Sequence, residues 1–169
     1  GRIKHHASSR GELPAVGDWV VIRRQPDEDR GAIVAVLPRH SRFSRRMAGQ
    51  VTDEQVVAAN VDVVFIVMSL DEDFSVRRLE RYLLMARESG AEPVVLLTKP
   101  DLCADVASRV TDVVTAAGGA PVHVLSPKHN EGLEQVTQYL MPGRTAALLG
   151  SSGVGKSTII NRLAGSDVQ

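Results

Sequence analysis

One glycine-rich stretch, running from Thr145 to Thr158 (TAALLGSSGVGKST), constrains this chain more than any other. It matches the phosphate-binding pattern G-x-x-x-x-G-K-[ST], with a short apolar run before it and a helix-like run after it. Glycines let the backbone pass close to an anion, and the exposed N–H groups at the start of the following helix surround a phosphate with partial positive charge. In such loops the lysine reaches the terminal phosphates and the following hydroxyl ligates Mg²⁺, which are the roles predicted for Lys156 and Ser157. The stretch therefore predicts a nucleotide site made by Gly150, Ser151, Ser152, Gly153, Val154, Gly155, Lys156, Ser157 and Thr158.

Upstream of this loop, buried-strand patterns alternate with amphipathic-helix patterns. Apolar runs predict strands at Val61–Met68, Pro93–Leu97 and Pro121–Leu125. Apolar residues at helical spacing predict helices at Val76–Glu88 (with Ser75 as N-cap and Gly90 ending it), Ala104–Ala117 and Glu131–Leu140. This alternation indicates right-handed βαβ units and a parallel sheet, an α/β fold whose ligand site lies beyond the carboxyl ends of the strands.

Two short polar motifs follow the predicted strands at those carboxyl ends. Thr98, Lys99, Pro100 and Asp101 follow Leu97, and Ser126, Pro127 and Lys128 follow Leu125. A carboxylate accepts two hydrogen bonds from the ring N–H and exocyclic amine of guanine, whereas adenine offers no such pair. We therefore expect Asp101 to select guanine, with the aliphatic stem of Lys99 covering the base.

The first fifty residues have a different texture. Strand-like runs at Asp18–Arg24 and Gly31–Leu37, with a third run around Phe43, predict a small OB-like β-barrel. Residues 48–54 are linker-like, so we expect one domain over residues 1–50 and a second over 51–169. Four arginines near Phe43 are candidates for RNA contact, and the alternative is a solvated loop: Arg39, Arg42, Arg45 and Arg46.

Composition limits the location and the partners of the protein. The formal net charge is zero, so affinity for nucleic acid has to come from a local patch. Cys103 is the only cysteine, which excludes an internal disulfide and is typical of a reducing compartment. The five histidines show no zinc-ligand spacing with Cys103, and no signal peptide or membrane-length apolar run is present. We expect a cytoplasmic monomer that does not contact membranes.

The order of the motifs points to a known family. TKPD resembles the guanine-specifying [NT]KxD motif of GTPases and SPK resembles their SxK motif, but both precede GSSGVGKST. With VGDWVVIR and EQVVAANVDVVFIVMSL upstream, the chain from about Leu13 to Gln169 resembles the ribosome-small-subunit-dependent GTPase A family. The resemblance implies a circularly permuted P-loop GTPase domain behind an OB domain, with GTP or GDP and Mg²⁺ as ligands. It also implies GTP hydrolysis stimulated by the small ribosomal subunit and its rRNA, a role in late maturation of that subunit, and a C-terminal zinc-binding domain.

This chain departs from the family pattern at both ends. Members continue past the helix after the phosphate loop into a switch threonine, a DxxG motif and zinc ligands, whereas this sequence stops at Gln169. We therefore expect a fragment without catalytic residues, inactive alone, with a barrel lacking its first strands and zinc bound only beyond Gln169. The full-length protein would hydrolyse GTP. Two alternatives remain open: a P-loop ATPase, and a non-catalytic RNA-binding OB module with a nucleotide switch.

Overall fold

The computed structural model describes residues 10–24, 31–46 and 54–165, which fall into two compact units. The first unit comprises Gly1–Val61 and the second comprises Asp62–Gln169. The division therefore lies after Val61, instead of after residue 50 as the composition predicted.

The first unit is built from antiparallel strand pairs. After a 3-10 turn at Arg10–Glu12, β1 (Val20–Arg24) pairs with β2 (Gly31–Val36), and β3 (Arg42–Arg46) pairs with β4 (Glu54–Ala59). The strands predicted around residues 18–24, 31–37 and Phe43 are confirmed, and β4 is an additional strand. Because β4 pairs with β3, it belongs to the first unit, and this pairing moves the division downstream. In the described ranges the four strands form two separate two-stranded sheets, so the OB-like barrel stays a prediction.

The second unit is a parallel sheet flanked by helices. Its strands are β5 (Val63–Ser69), β6 (Glu92–Thr98), β7 (Val122–Val124) and β8 (Ala146–Leu149), and their spatial order is β7-β6-β5-β8. All three pairings are parallel, as the alternating sequence pattern predicted. Every residue of β5 is buried, because this strand has a neighbour on each side and helices over the sheet.

Among the described residues, four α-helices accompany this sheet: α1 (Val76–Ser89), α2 (Val106–Ala117), α3 (Glu134–Thr137) and α4 (Lys156–Ala164). The Ser75 side chain accepts a hydrogen bond from the Arg78 amide and Gly90 ends α1, as the sequence predicted. Helix α3 is shorter than the predicted span 131–140. It begins late because the backbone of Glu131 is already paired with Ser126.

The core of the second unit fixes the strand ends that carry the site. Inward side chains of β5 and β6 pack with residues of the later elements, including Val154 in the phosphate loop and Ile159 in α4. The phosphate loop and its helix are therefore attached to the same core as β5, β6 and Leu125, the residue that directly precedes SPK. None of the helices in the described ranges is long and apolar enough to cross a membrane.

Candidate nucleotide-binding site

The site is built from loops at one edge of the parallel sheet. TKPD begins at Thr98, the last residue of β6, SPK follows β7, and the phosphate loop follows β8. Because the strands are parallel, their carboxyl ends lie at the same edge. In the strand order, β5 separates two groups of strands. On one side are β6 and β7, which carry the predicted base-binding motifs (the base side), and on the other is β8, which carries the phosphate loop (the phosphate side). The structure thus brings the three predicted motifs to a common edge.

The phosphate loop has the backbone that its glycines allow. A Cβ on Gly150 would lie 2.3 Å from the Val67 carbonyl oxygen, so this close approach to β5 requires glycine. Gly155 has φ +99°, which permits the turn that starts α4 at Lys156. A Cβ on Gly153 would meet nothing within 4 Å, so that side of the loop faces open space. Ser152, Ser157 and Thr158 are exposed, as ligand contacts require.

The lysine of this loop is held over the loop's own backbone. Lys156 Nζ donates a hydrogen bond to the Gly150 carbonyl oxygen at 2.8 Å and another to the Ser151 carbonyl oxygen. Arg78, on α1, donates from Nη1 to Ser151 Oγ at 2.7 Å and to Asp73 Oδ2 at 2.5 Å. The hydrogen bond from Arg78 lowers the pKa of Asp73. The start of the phosphate loop is therefore supported from outside by an arginine that the sequence pattern did not single out.

Thr98, the first residue of TKPD, joins the base side to the phosphate side. Its side chain is buried, and Oγ1 donates to the Val154 carbonyl oxygen at 2.7 Å. Pro100 and Asp101 follow in a single 3-10 turn, Pro100–Leu102, which leaves Asp101 exposed. The predicted base reader is thus placed on a short turn that follows a residue anchored to the phosphate loop.

Lys99 has a partner that the sequence analysis missed. Its backbone is left-handed (φ 55°), and its Nζ lies 2.7 Å from Asp71 Oδ2. The hydrogen bond from Lys99, helped by one from the Ser69 hydroxyl, lowers the pKa of Asp71 to about 2. Asp71 follows β5 just as the two polar motifs follow β6 and β7. A search for polar residues after every buried strand would have found it.

The loop after β7 is a turn with its own anchor. The Ser126 carbonyl oxygen accepts from the His129 and Glu131 amides, and Ser126 Oγ lies 2.9 Å from His129 Nδ1. Pro127 is buried, and its carbonyl oxygen accepts from Arg162 Nε at 3.1 Å. Lys128 is exposed, and its amide donates to no backbone acceptor in the described part of the chain. The Lys128 amide is therefore a candidate donor to a ligand, whereas the Pro127 nitrogen has no hydrogen to donate.

The predicted RNA-contact arginines do not share one environment. Arg39 is used inside the first unit: its guanidinium donates to both Asp18 carboxylate oxygens at 2.7 Å and to the carbonyl oxygens of Gly11 and Leu13. The hydrogen bonds between the two side chains raise the pKa of Arg39 and lower the pKa of Asp18. Arg39 is therefore paired within the first unit, and its contact with RNA stays a prediction. Arg42 is exposed on β3, whereas the side chains of Arg45 and Arg46 lie outside the described residues.

Comparison with known proteins identifies the family of this chain. The family model described as RsgA GTPase matches residues 36–169. The chain is 48% identical to "Small ribosomal subunit biogenesis GTPase RsgA" of Opitutus terrae, covering 100% of this chain and 48% of that protein. It is 45% identical to "Small ribosomal subunit biogenesis GTPase RsgA 2" of Lactiplantibacillus plantarum, covering 99% of this chain and 47% of that protein. The chain thus spans about half the length of the curated relatives it matches.

Two solved structures have the same fold. A crystal structure of YjeQ from Thermotoga maritima matches with a TM-score of 0.70 and 30% identity, over 89% of this chain and 51% of that one. YloQ, described as a circularly permuted GTPase, matches with a TM-score of 0.61 and 24% identity, over 89% and 50% of the two chains. The likeness to YloQ concerns the fold alone. The family match and the identity to these relatives show that the chain belongs to the RsgA GTPase family.

Proposed function

We propose that this chain is the guanine-nucleotide-binding part of a GTPase that acts in the biogenesis of the small ribosomal subunit. The observation that carries the proposal is the position of TKPD and the phosphate loop at one sheet edge, joined by the hydrogen bond from Thr98 to Val154. Asp101 reads the guanine, and the loop from Gly150 to Thr158 holds the phosphates. The relatives' names supply the process, since each is called a small ribosomal subunit biogenesis GTPase.

The loop after β7 contributes to base recognition through its backbone. The exposed Lys128 amide takes the place of the N–H that Pro127 lacks and donates to the guanine carbonyl oxygen. A nucleotide-bound structure should place the Lys128 nitrogen within about 3.2 Å of that oxygen. If the oxygen is bonded only to water, the loop is a structural turn.

Mg²⁺ fits the residues that are present. The exposed Ser157 hydroxyl stands at the start of α4, beside a loop that is open at Gly153 and has a lysine at Lys156. Ser157 would hold the ion, and Mg²⁺ bound with the nucleotide neutralises phosphate charge. In residues 10–24, 31–46 and 54–165 no group of three or more His, Cys, Asp or Glu side chains can hold a metal ion, so we assign zinc to no residue of this chain.

The first unit is proposed as an OB-like domain that contacts rRNA. The exposed Arg42 supports this role, and Arg45 and Arg46 follow it on β3. Neutral substitution of these three arginines should lower the slope of log K against log salt for small-subunit binding by about 0.7–0.9 for each phosphate that an arginine no longer neutralises. An unchanged slope would leave the arginines as a solvated surface. We place the intact protein in the cytoplasm, because its proposed partner is the ribosomal subunit.

The decisive experiment changes the base reader. Asp101→Asn presents an amide donor to the position where xanthine has a carbonyl, so the preference should move from GTP toward XTP. The control is Asp112→Asn, an exposed carboxylate on α2 outside the site. Competition titrations of GTP, XTP and ATP measure both variants. Retained preference for GTP in Asp101→Asn would refute the base assignment, and preference of the unaltered protein for ATP would refute the GTPase assignment.

The process is tested with the intact protein. GTP hydrolysis should rise when small ribosomal subunits are added and should not rise with large subunits at the same concentration. Equal stimulation by both would contradict a specific role at the small subunit.

A further inference from the structure

Asp71 lies between the base side and the phosphate side of the site. It follows β5, which has β6 on one side and β8 on the other. Its carboxylate accepts hydrogen bonds from Lys99 Nζ at 2.7 Å, from Ser69 Oγ at 2.6 Å and from the Asp73 amide at 3.0 Å. The bonds from Ser69 and from the Asp73 amide hold the carboxylate in one orientation, so Lys99 meets an acceptor that is already in place.

The lysine that meets this carboxylate is itself constrained. Lys99 has a left-handed backbone (φ 55°, ψ 49°), a conformation that non-glycine residues seldom adopt and that costs free energy. The Lys99 side chain is 35% exposed, so without a partner it could move among several rotamers in solvent. Its ammonium is drawn from β6 toward β5, which is the direction of β8 and the phosphate loop. The aliphatic stem therefore extends from the end of β6 toward β5, and a nucleotide bound to both loops must span the same part of the sheet edge.

We propose that Asp71 is a positioning residue that holds the Lys99 side chain across the base and ribose part of the site before a nucleotide binds. The inference rests on the proposed function, since Lys99 needs a position only if a nucleotide lies beside it. A long lysine side chain loses much rotamer freedom when it is ordered. An ion pair that orders it in advance removes that loss from the binding step and so strengthens binding.

The test is a double-mutant cycle on the intact protein with a fluorescent GDP analogue. Asp71→Asn should weaken binding about five- to tenfold, mainly through faster dissociation, because Lys99 is released. Lys99→Met keeps an unbranched stem but removes the charge, so adding Asp71→Asn to it should change the dissociation constant by less than about twofold. Asp71→Glu keeps the carboxylate and should stay within about threefold of the unaltered protein.

Glu72→Gln is the matched control, because Glu72 is the exposed neighbouring carboxylate in the same loop. Its affinity should equal that of the unaltered protein. Should Asp71→Asn fail to fold, Ser69→Ala serves in its place. It removes one bond to the Asp71 carboxylate and should weaken binding in the same direction by a smaller factor.

The possible outcomes distinguish failure of this inference from failure of the proposed function. Equal losses from Asp71→Asn with and without Lys99→Met would show that Asp71 does not act through Lys99, which overturns the proposal. Tighter nucleotide binding by Asp71→Asn would show that the ion pair opposes binding, which would also overturn the proposal. If the unaltered protein and Glu72→Gln bind no guanine nucleotide, the proposed function itself fails. If both bind and Asp71→Asn binds equally well, only the positioning role fails.

Discussion

The phosphate loop and the base-side loops lie at the same sheet edge but are held in different ways. In the phosphate loop, Lys156 bonds to carbonyl oxygens five and six residues earlier in the chain, and the glycines set the backbone. On the base side, Thr98 is anchored to a residue 56 positions away, Arg162 reaches Pro127 across 35 positions, and Lys99 reaches Asp71 across 28. Arg78 adds one tertiary support to the phosphate loop from 73 positions away, and the turn at Ser126 is closed by local bonds. The phosphate loop is therefore held mainly by its own residues, whereas most of the tertiary anchors lie on the base side.

The largest effect should come from the local side of this comparison. Lys156→Ala removes the one side-chain cation within the phosphate loop, and removing a charge-assisted hydrogen bond to phosphate costs about 1.5–3 kcal/mol. GDP and GTP should therefore bind about ten- to 150-fold more weakly in a titration. Arg77→Ala, an exposed cation on α1, is the control and should bind normally. Undiminished affinity in Lys156→Ala would remove this loop from the site.

Removing the buried anchor between the two sides should have the next largest effect. Thr98→Val keeps the shape of the side chain but leaves the Val154 carbonyl oxygen without its 2.7 Å donor. The free energy of unfolding should fall by about 1–2 kcal/mol, measured by urea denaturation. Thr111→Val is the matched control, because its hydroxyl bonds to the Ala107 carbonyl oxygen on an exposed helix surface. Equal effects of the two substitutions would show that the anchor has no special importance.

A smaller effect is expected at the second base loop. Arg162→Met removes the donor to the Pro127 carbonyl oxygen and should speed GDP dissociation about two- to fivefold, because the Lys128 turn loses one of its supports. The rate is measured by stopped-flow chase of a fluorescent analogue. Arg81→Met, on the exposed surface of α1, should leave the rate unaltered. A normal rate in Arg162→Met would mean that the turn holds its position without help from α4.

The smallest effect is expected in the dependence of folding stability on pH. The pKa of Asp71 is lowered to about 2 in the folded chain, against about 3.9 in an unfolded one, so its pairing stabilises the fold above pH 4. That contribution is lost as the pH falls from about 4 through 2. Because the pair is partly exposed, it contributes at most about 1 kcal/mol. Urea denaturation of the unaltered protein and Asp71→Asn should show a stability difference at pH 6 that shrinks at pH 3. A difference independent of pH would show that the charge is not responsible.

The same contrast explains which features the sequence predicts. Strand β8, the phosphate loop and the capped start of α1 depend on neighbouring residues, and all three are found where the sequence predicts them. Strand β4 was missed because its short apolar run directly follows the linker-like residues 48–54 and its partner β3 lies upstream. Charge alone did not reveal that Arg39 is directed to Asp18, because the pairing joins residues 21 positions apart. Asp71 was missed for the same reason, since its partner Lys99 is distant in sequence.

The position of β8 beside β5 has a consequence for synthesis of the chain. Val63 pairs with Ala146, so β5 leaves the ribosome 83 residues before its second neighbour exists. At about 5–20 residues per second, the apolar edge of β5 waits about 4–17 s for β8. During that interval β6 can already pair with β5, so the base side is assembled first. Protection of nascent β5 by a chaperone should therefore matter most between translation of Ser69 and translation of Leu149.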